Sequence, residues 1–314
     1  MQQMRSRFRQ LKLGIIGDGV HSLRIQKVLK SFGLKYLLYK PTQNKFKYVE
    51  IEEIKKCKII FIISPNSTHF DYIKKFYKKR YIFCEKPPVN ILSELNDLKK
   101  LNAKKIFFNF NFRYSLLSEV IKKKNIYKLG NLQYGNIITT HGLAKKKKYP
   151  KMWRSKIKLS PKGVFETVSI HWVDFINFHF EIKKVAHISL KNSSNKGTAF
   201  DNSYIDLKLK NDANINIFNS YNSPYCNKAL FVFSNGIIEK DEKSIKIFGP
   251  SENYDKKGFF IKPKLIKKMT LNEEKDYNES LKKSVYEFLL TASLKKKISK
   301  KNYKISLESN LLLF

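Results

Sequence analysis

Cysteine is scarce and scattered. Cys57, Cys84 and Cys226 are the only three, and no C-x-x-C pair occurs. That spacing excludes a disulfide framework and a cysteine zinc site, so no metal is expected, and it fits a reducing cytoplasm. Long hydrophobic runs are missing too. Nothing approaches the ~20 residues of a membrane span, and the longest strongly apolar piece, Ile59 to Ile63, has the length of a strand. The N-terminal MQQMRSRFRQ is basic but lacks the apolar core and cleavage site of a signal peptide. The expectation is a cytoplasmic protein with no membrane partner. Arginine is the third shortage: only seven of the 63 basic residues are Arg. Acidic residues number 26, which leaves a formal net charge of +37. Nucleic-acid readers lean on arginine for bidentate phosphate and base contacts. Here Lys, Asn, Ile and Phe abound while Ala is rare, the pattern of AT-rich codons, and the lysines run along the whole chain. Most of the charge is therefore assigned to solvated surface, with no specific nucleic-acid partner. Weak, salt-dependent adhesion to polyanions still follows. No internal repeat or low-complexity linker is found beyond the lysine run 145–148, which reads as an exposed loop.

What is present is globular. Hydrophobic residues make up 42% and aromatics 14% of 314 residues, enough for two domains with sizeable cores. The chain is organised around Leu11 to Gly19, LKLGIIGDG, and the helix pattern that follows. A buried strand, a tight glycine turn and a helix start present backbone N–H groups and a positive helix terminus to a pyrophosphate. Gly17 makes the turn and Gly19 lets the backbone approach the phosphates. Ser22 stands where the third glycine of G-x-G-x-x-G would be and is small enough for close strand–helix packing. A Gly-x-Gly after a strand is otherwise only a turn. Its place at the head of an alternating β/α pattern gives it meaning.

That pattern runs as follows. Residues 11–17 read as a strand, 20–32 as a helix with Gly33 at its C-cap, and 34–39 as a second strand. The second strand ends in Tyr39-Lys40-Pro41-Thr42, with no carboxylate for ribose hydroxyls. Lys40 could meet a 2′-phosphate, which favours NADP over NAD; the alternative is one more exposed lysine. A buried strand at 58–63 ends in Ser64-Pro65-Asn66-Ser67-Thr68-His69, where Ser67 or Thr68 would cap a helix over 69–79. Strand 81–84 runs into Glu85-Lys86-Pro87-Pro88, followed by helix 91–101 and strand 105–109. Five strands alternating with helices indicate a doubly wound Rossmann-type domain, with ligands outside the C-terminal strand ends. After Phe112-Arg113-Tyr114 the style changes. A helix near 116–127 precedes strand-like segments near 132–141, 184–192, 202–210, 213–221, 228–234 and 243–248. Asn235-Gly236 reads as a hairpin turn. A helix spans His171 to Phe180, and 278–296 and 303–314 read as helical. The fold class is thus an α/β Rossmann-type dinucleotide-binding domain over 1–112 plus an α+β domain over 113–314 built on a large, mostly antiparallel sheet. The C-terminal helices are free to pack back on the first domain.

Two places carry chemistry. In Cys84-Glu85-Lys86-Pro87 a charged pair follows directly on a buried strand, so Lys86 would point into the crevice, hydrogen-bond a substrate hydroxyl and stabilise a developing alkoxide. Pro87 would fix the backbone that aims it. By residue type alone Lys86 is one surface lysine among many. The second place is Gly163 to Asp174, where Thr167, His171 and Asp174 would share one helix face at i, i+4 and i+7. A histidine facing a nicotinamide can take the hydroxyl proton as hydride leaves the carbon. A histidine on an apolar helix is otherwise a core residue.

Together GIIGDG at 14–19, SPNSTH at 64–69, CEKP at 84–87, FNFRY at 110–114, MWR at 152–154 and KGVFETVSIHWVD at 162–174 make the sequence resemble the glucose–fructose oxidoreductase/inositol dehydrogenase (Gfo/Idh/MocA) family. The resemblance runs in order over essentially the whole chain. It implies an NAD(P)-dependent oxidoreductase acting on CH–OH groups of sugars, cyclitols or nucleotide sugars, with a role in surface polysaccharide sugar synthesis. Carried over by position, Lys86 is catalytic and His171 is the acid/base. Cofactor contacts fall on Gly17, Asp18, Gly19, Val20, His21, Lys40, Ser64, Pro65, Asn66, His69, Glu85, Lys86 and Pro87. Arg113, Trp153, Arg154, Thr167 and Asp174 are implied on the substrate side. The family usually has Asp where Thr167 stands, and one residue along a helix turns Glu166 by about 100°, so it is no simple substitute. The alternative is therefore a non-catalytic dinucleotide- or sugar-binding protein acting as sensor or partner. An open sheet face in the second domain suggests a homodimer or homotetramer.

Overall fold

The computed structural model describes residues 8, 11–41, 48–101, 103–250 and 252–314. Thr42 and most of the basic N-terminal stretch lie outside them. The chain divides into two compact units. The described residues up to Asn111, with Glu279–Leu312 and Phe314, form the first; Phe112–Asn278, with Leu313, forms the second.

In the first unit, short apolar runs become strands because both faces of the sheet are covered. β1 (Leu13–Ile16), β3 (Ile59–Ile62) and β5 (Ile106–Asn109) are buried at every position, while β2 (Tyr36–Tyr39) is only partly buried. With β4 (Tyr81–Glu85) they form a wholly parallel sheet in the order β2-β1-β3-β4-β5. Continuous apolar strands, rather than alternating ones, are what such a sheet needs. Pairing of Ile16 with Tyr39 and Ile62, of Ile62 with Cys84, and of Glu85 with Asn109 brings the C-terminal ends of all five strands level. Helices α1 (Val20–Ser31), α2 (Ile51–Lys55), α3 (His69–Phe76) and α4 (Leu92–Lys100) connect them. The five-residue α2 is too short to show a helical period in the sequence. The expected side-chain cap of α3 is absent: the Thr68 hydroxyl donates to the Pro65 carbonyl at 2.8 Å, inside a short 3-10 turn.

The second unit holds α5 (Leu116–Lys122), shorter than the expected 116–127, then β6 (Leu132–Thr140) and α6 (Ile170–Phe180). β7 (Ile182–Lys191), β8 (Asn202–Leu209), β9 (Asn214–Ser220), β10 (Cys226–Phe233), β11 (Gly236–Lys240), β12 (Ser244–Phe248) and β13 (Leu265–Thr270) complete it. The sheet order is β13-β12-β11-β10-β6-β9-β8-β7, antiparallel except where β6 meets β9. Burial alternates along β8 and β10, so one face is core and the other lies open. The β10–β11 hairpin turns one residue earlier than expected: Gly236 already pairs with Phe233, leaving Ser234–Asn235 as the loop. β13 was not foreseen. Nearly every residue in it is exposed, so burial writes no alternation into its sequence.

Two helices close the chain, α7 (Glu273–Ser293) and α8 (Lys300–Leu311). From Glu279 onward they belong to the first unit. Asn310 exchanges two hydrogen bonds with the Val89 backbone, at 2.9 and 3.1 Å. Phe288 packs on Phe61, Phe83 and Phe107 with ring centroids 5.4–5.7 Å apart, filling the core beside the parallel sheet.

Candidate active site

The glycine turn sits where β1 runs into α1. Gly17 has φ +104°, and a Cβ there would stand 2.3 Å from the Ile63 carbonyl oxygen, so only glycine fits between β1 and the end of β3. Ser22 is fully buried and donates to the Gly17 carbonyl at 2.7 Å, locking the turn to the helix. Asp18 accepts from Gln26 at 3.1 Å and from the Tyr48 hydroxyl at 2.7 Å. Gly19 is the N-cap of α1, with no side-chain cap, no acidic residue in the first turn and open space around a would-be Cβ. The positive end of the helix dipole therefore has no side-chain carboxylate on its own first turn. Beside it Val20 and Leu23 are 72% and 54% exposed, apolar surface that a bound ligand would cover. Lys40 follows β2, its ammonium 5.9 Å from the centre of the Tyr48 ring.

The ends of β3 and β4 lie along the same sheet edge. His21 Nε2 meets Glu85 Oε1 at 2.8 Å, and Asn109 Nδ2 donates to the same oxygen at 2.6 Å. Ser284 donates to Asn109 Oδ1 at 2.6 Å, so a C-terminal helix backs the network. Burial opposes ionisation of Glu85, but His21, the Asn109 amide and Lys86 outweigh it and hold the carboxyl below its ordinary range. Glu85 is thus a buried, ionised anchor, and the half-buried Lys86 follows it directly. The Lys86–Pro87 peptide is cis. Pro65 is exposed, and Ser64 and Asn66 are half-buried at the end of β3. His69, expected to border the cofactor, is instead fully buried, with its two ring nitrogens 2.9 Å from the Pro87 carbonyl and 3.1 Å from the Ser64 carbonyl. It ties the loops after β3 and β4 together and presents no surface to a ligand. Burial pushes its pKa down.

In the second unit Arg113 and Asp174 are both buried and form a bidentate ion pair, Nε to Oδ2 at 2.7 Å and Nη2 to Oδ1 at 2.5 Å. Their shared substrate-side assignment therefore meets a closed pair that holds the start of the unit to α6. His171, half-buried in the first turn of α6, stacks on Phe112 with ring centroids 4.6 Å apart. Thr167 does not continue that helix face as an α-helical spacing predicts. Phe165–Ser169 is a π-helical turn, and regular α-helix begins only at Ile170. The Thr167 hydroxyl lies against the Gly163 carbonyl at 2.9 Å and pairs with the Tyr221 hydroxyl. Gly163, at φ +55°, lies where a Cβ would be 1.9 Å from the Phe200 carbonyl oxygen. Glu166 is buried and accepts from the Ser160 hydroxyl. Trp153 is 39% exposed, and the Arg154 guanidinium covers its ring at 4.5 Å. The His141 and Tyr221 rings pack at a tilt with centroids 4.8 Å apart, and burial with the nearby Arg154 lowers the His141 pKa.

Asn109, Ser284 and Tyr221 shape these arrangements, and sequence reasoning missed all three. None sits in a motif, and Ser284 reaches Asn109 across 175 positions. Among the described residues no group of three His, Cys, Asp or Glu side chains could hold a metal ion.

Comparison with known proteins identifies the family and the fold. Residues 2–107 match the family model described as an oxidoreductase family with an NAD-binding Rossmann fold. Residues 125–239 match the GFO/IDH/MocA C-terminal domain. Comparison with curated proteins by sequence finds no match. Among solved structures, a putative NADPH-dependent oxidoreductase from Desulfitobacterium hafniense superposes with TM-score 0.79 at 12% identity, covering 97% of this chain and 94% of the other. A myo-inositol dehydrogenase from Corynebacterium glutamicum gives 0.71 at 17% identity, over 96% and 94%. A levoglucosan dehydrogenase in complex with NADH and levoglucosan gives 0.73 at 14%, over 96% of each chain. At these identities the shared property is the fold.

Proposed function

The chain belongs to the Gfo/Idh/MocA family of NAD-binding oxidoreductases, and on that footing we propose that it moves hydride to or from a carbinol or ketone carbon of a sugar, cyclitol or nucleotide-linked sugar. The observation that carries this reading is the His21–Glu85–Asn109 network. It fixes the first turn of α1 to the end of β4 and so anchors Lys86 at the sheet edge that the glycine turn opens. A dinucleotide fits the first unit: an uncapped helix terminus at Gly19, a turn too tight for any side chain at Gly17, and exposed apolar Val20 and Leu23 beside them. Lys40 at the end of β2 supports a preference for NADP.

The nicotinamide, when bound, supplies or accepts the hydride. The chain's residues do the rest. Lys86 donates a hydrogen bond to the substrate oxygen and stabilises its negative charge. His171 takes the hydroxyl proton during oxidation and returns it during reduction. Pro65, Asn66 and Pro87 shape the loops at the edge of the parallel sheet, and Trp153 and Arg154 contact the substrate. In this proposal residues 1–112, with the C-terminal helices from Glu279 onward that join them in the first unit, bind cofactor, and the rest of 113–314 reads the substrate. The protein works in the cytoplasm as a homodimer or homotetramer, with a role in surface polysaccharide sugars. A second reading, a binding protein without turnover, is favoured by one observation: Thr167 is a hydroxyl engaged with Tyr221 and holds no proton-accepting group.

The deciding experiment is thermal unfolding with NAD, NADH, NADP and NADPH at low and high salt. A ligand at 100 times its dissociation constant adds about 2.7 kcal/mol. Stabilisation that survives high salt supports the reading; none with any of the four overturns it. A preference for the phosphorylated pair that Lys40→Ala removes assigns the 2′-phosphate to Lys40. Turnover with a sugar panel then separates the enzyme from the binding protein.

A further inference from the structure

Between β12 and β13, residues 253–261 form a small hairpin. Asp255 N donates to the Phe259 carbonyl at 2.9 Å, and Ile261 N donates to the Asn253 carbonyl at 2.9 Å. Asp255 Oδ1 accepts from the backbone N–H groups of Lys257 and Phe259 at 2.8 and 2.9 Å. Tyr254 and Phe260 pair across it with ring centroids 5.3 Å apart. This construction holds apolar side chains outward. Phe259 and Phe260 are 67% and 85% exposed, and Tyr254, Ile261, Leu265 and Ile266 are each exposed by 45% or more. Clusters of large exposed apolar residues mark interaction surfaces, whereas single ones need no explanation.

Charge selects the partner. Along the same stretch stand Lys256, Lys257, Lys262, Lys264, Lys267 and Lys268, against only two acids, Glu252 and Asp255. Asp255 is committed to the turn. A second copy of this chain docking patch to patch would bring both sets of lysines together, on a protein of formal charge +37. Single-stranded nucleic acid would stack on the aromatic rings but gains nothing from Ile261, Leu265 and Ile266. Phenylalanine and aliphatic side chains ringed by lysine suit the boundary between acyl chains and anionic headgroups.

We propose that this hairpin is a peripheral anchor that inserts Phe259 and Phe260 into an anionic lipid surface while the flanking lysines bind its headgroups. No helix among the described residues is long and apolar enough to cross a membrane, and surface anchoring requires none. The proposal stands apart from the redox reading.

The test is co-sedimentation of the full chain with vesicles of phosphatidylcholine alone and of phosphatidylcholine mixed with phosphatidylglycerol. The expected result is binding to the mixed vesicles only. The double variant Phe259→Ser/Phe260→Ser should bind them about ten-fold more weakly at unchanged net charge and unchanged melting temperature. Lys256→Gln/Lys257→Gln should weaken binding on the order of ten-fold and flatten its salt dependence. Equal binding by the Phe variant would reduce the effect to adhesion through net charge and overturn the proposal. So would indifference of the natural chain to anionic vesicles, whether or not the Phe variant changes oligomeric state. Displacement from vesicles by single-stranded RNA at lower concentration than by free phosphatidylglycerol micelles, with the Phe pair required for RNA binding, would assign the surface to nucleic acid instead.

Discussion

His21, in the first turn of α1, and Glu85, the last residue of β4, meet at 2.8 Å across 64 positions of sequence. The contact couples the glycine turn to the strand end that carries Lys86. Glu85→Ala leaves His21 and Asn109 facing an empty, buried position and is expected to cost about 1–3 kcal/mol of stability. Urea unfolding measures it, and the same variant should show a smaller stabilisation by cofactor. A change under about 0.5 kcal/mol would mean that water replaces the carboxylate without loss.

Gly17 and Gly19 separate stability from binding. Gly17→Ala must push its Cβ into the Ile63 carbonyl at a positive φ, and should destabilise the chain by about 3 kcal/mol. Gly19→Ala meets no atom within 4 Å and starts from an ordinary backbone conformation. It should fold as well as the natural chain but lose most of the cofactor-induced shift in melting temperature, because the new methyl occupies the approach to the helix terminus. Retained cofactor binding in Gly19→Ala would move the pyrophosphate elsewhere.

The Arg113–Asp174 pair is buried at both ends. Asp174→Ala strands a buried guanidinium, and the expected cost is about 3–5 kcal/mol. Replacing both residues by apolar side chains, Arg113→Met with Asp174→Leu, should recover most of that loss, since neither charge then needs a partner. Chemical denaturation of the single and double variants decides it. A single variant within 1 kcal/mol of the natural chain would contradict the roles drawn from this geometry.

For the reaction, Lys86→Ala and His171→Ala should each lower kcat/KM by at least about 100-fold while the melting temperature stays near that of the natural chain. Lys86→Arg should not rescue, because the planar guanidinium cannot place a single point charge at the substrate oxygen. Steady-state kinetics with the substrate found by screening provides the check, and unaltered rates in both alanine variants would sink the assignment.

Stability should fall on the acid side of neutrality. Burial holds His69 and His141 below the ordinary 6.5, and burial with Lys122 and Arg113 pushes His179 down to about 3. An imidazole whose folded pKa is depressed takes its proton first in the unfolded chain. From about pH 6.5 downward the unfolded state therefore binds protons that the folded state refuses, and the stability present above 6.5 drains away until each folded value is passed. Glu85, held below 4.5, adds to the loss at lower pH, where the unfolded carboxyl protonates first. Unfolding free energy measured from pH 7.5 to pH 4 should decline, and His179→Gln should remove about one proton from the slope. A flat profile would mean that these imidazoles protonate freely in the folded protein.

Much of the first unit was legible because its physics is local. A strand buried on both faces must be an unbroken apolar run, and a turn where a Cβ would fall 2.3 Å from a carbonyl oxygen at positive φ must be glycine. Ile59–Ile62 and Gly17 therefore announce themselves. The alternation of β8 and β10 was legible for the same reason: one buried and one open face write a period of two. β13, exposed almost throughout, and the five-residue α2 gave no period to read.

The sequence by itself determined the alternating architecture, the glycine turn and the position of Lys86 directly after a buried strand, because propensity, burial pattern and turn chemistry act over a few residues. Only the tertiary structure decided that Glu85 is held by His21, Asn109 and, behind them, Ser284. It alone sealed His69 between two loops, closed Arg113 on Asp174, and turned Thr167 through a π-helical step onto Tyr221. Those outcomes depend on which distant polar group satisfies a buried one. Burial makes that choice compulsory, and the order of residues along the chain does not record it.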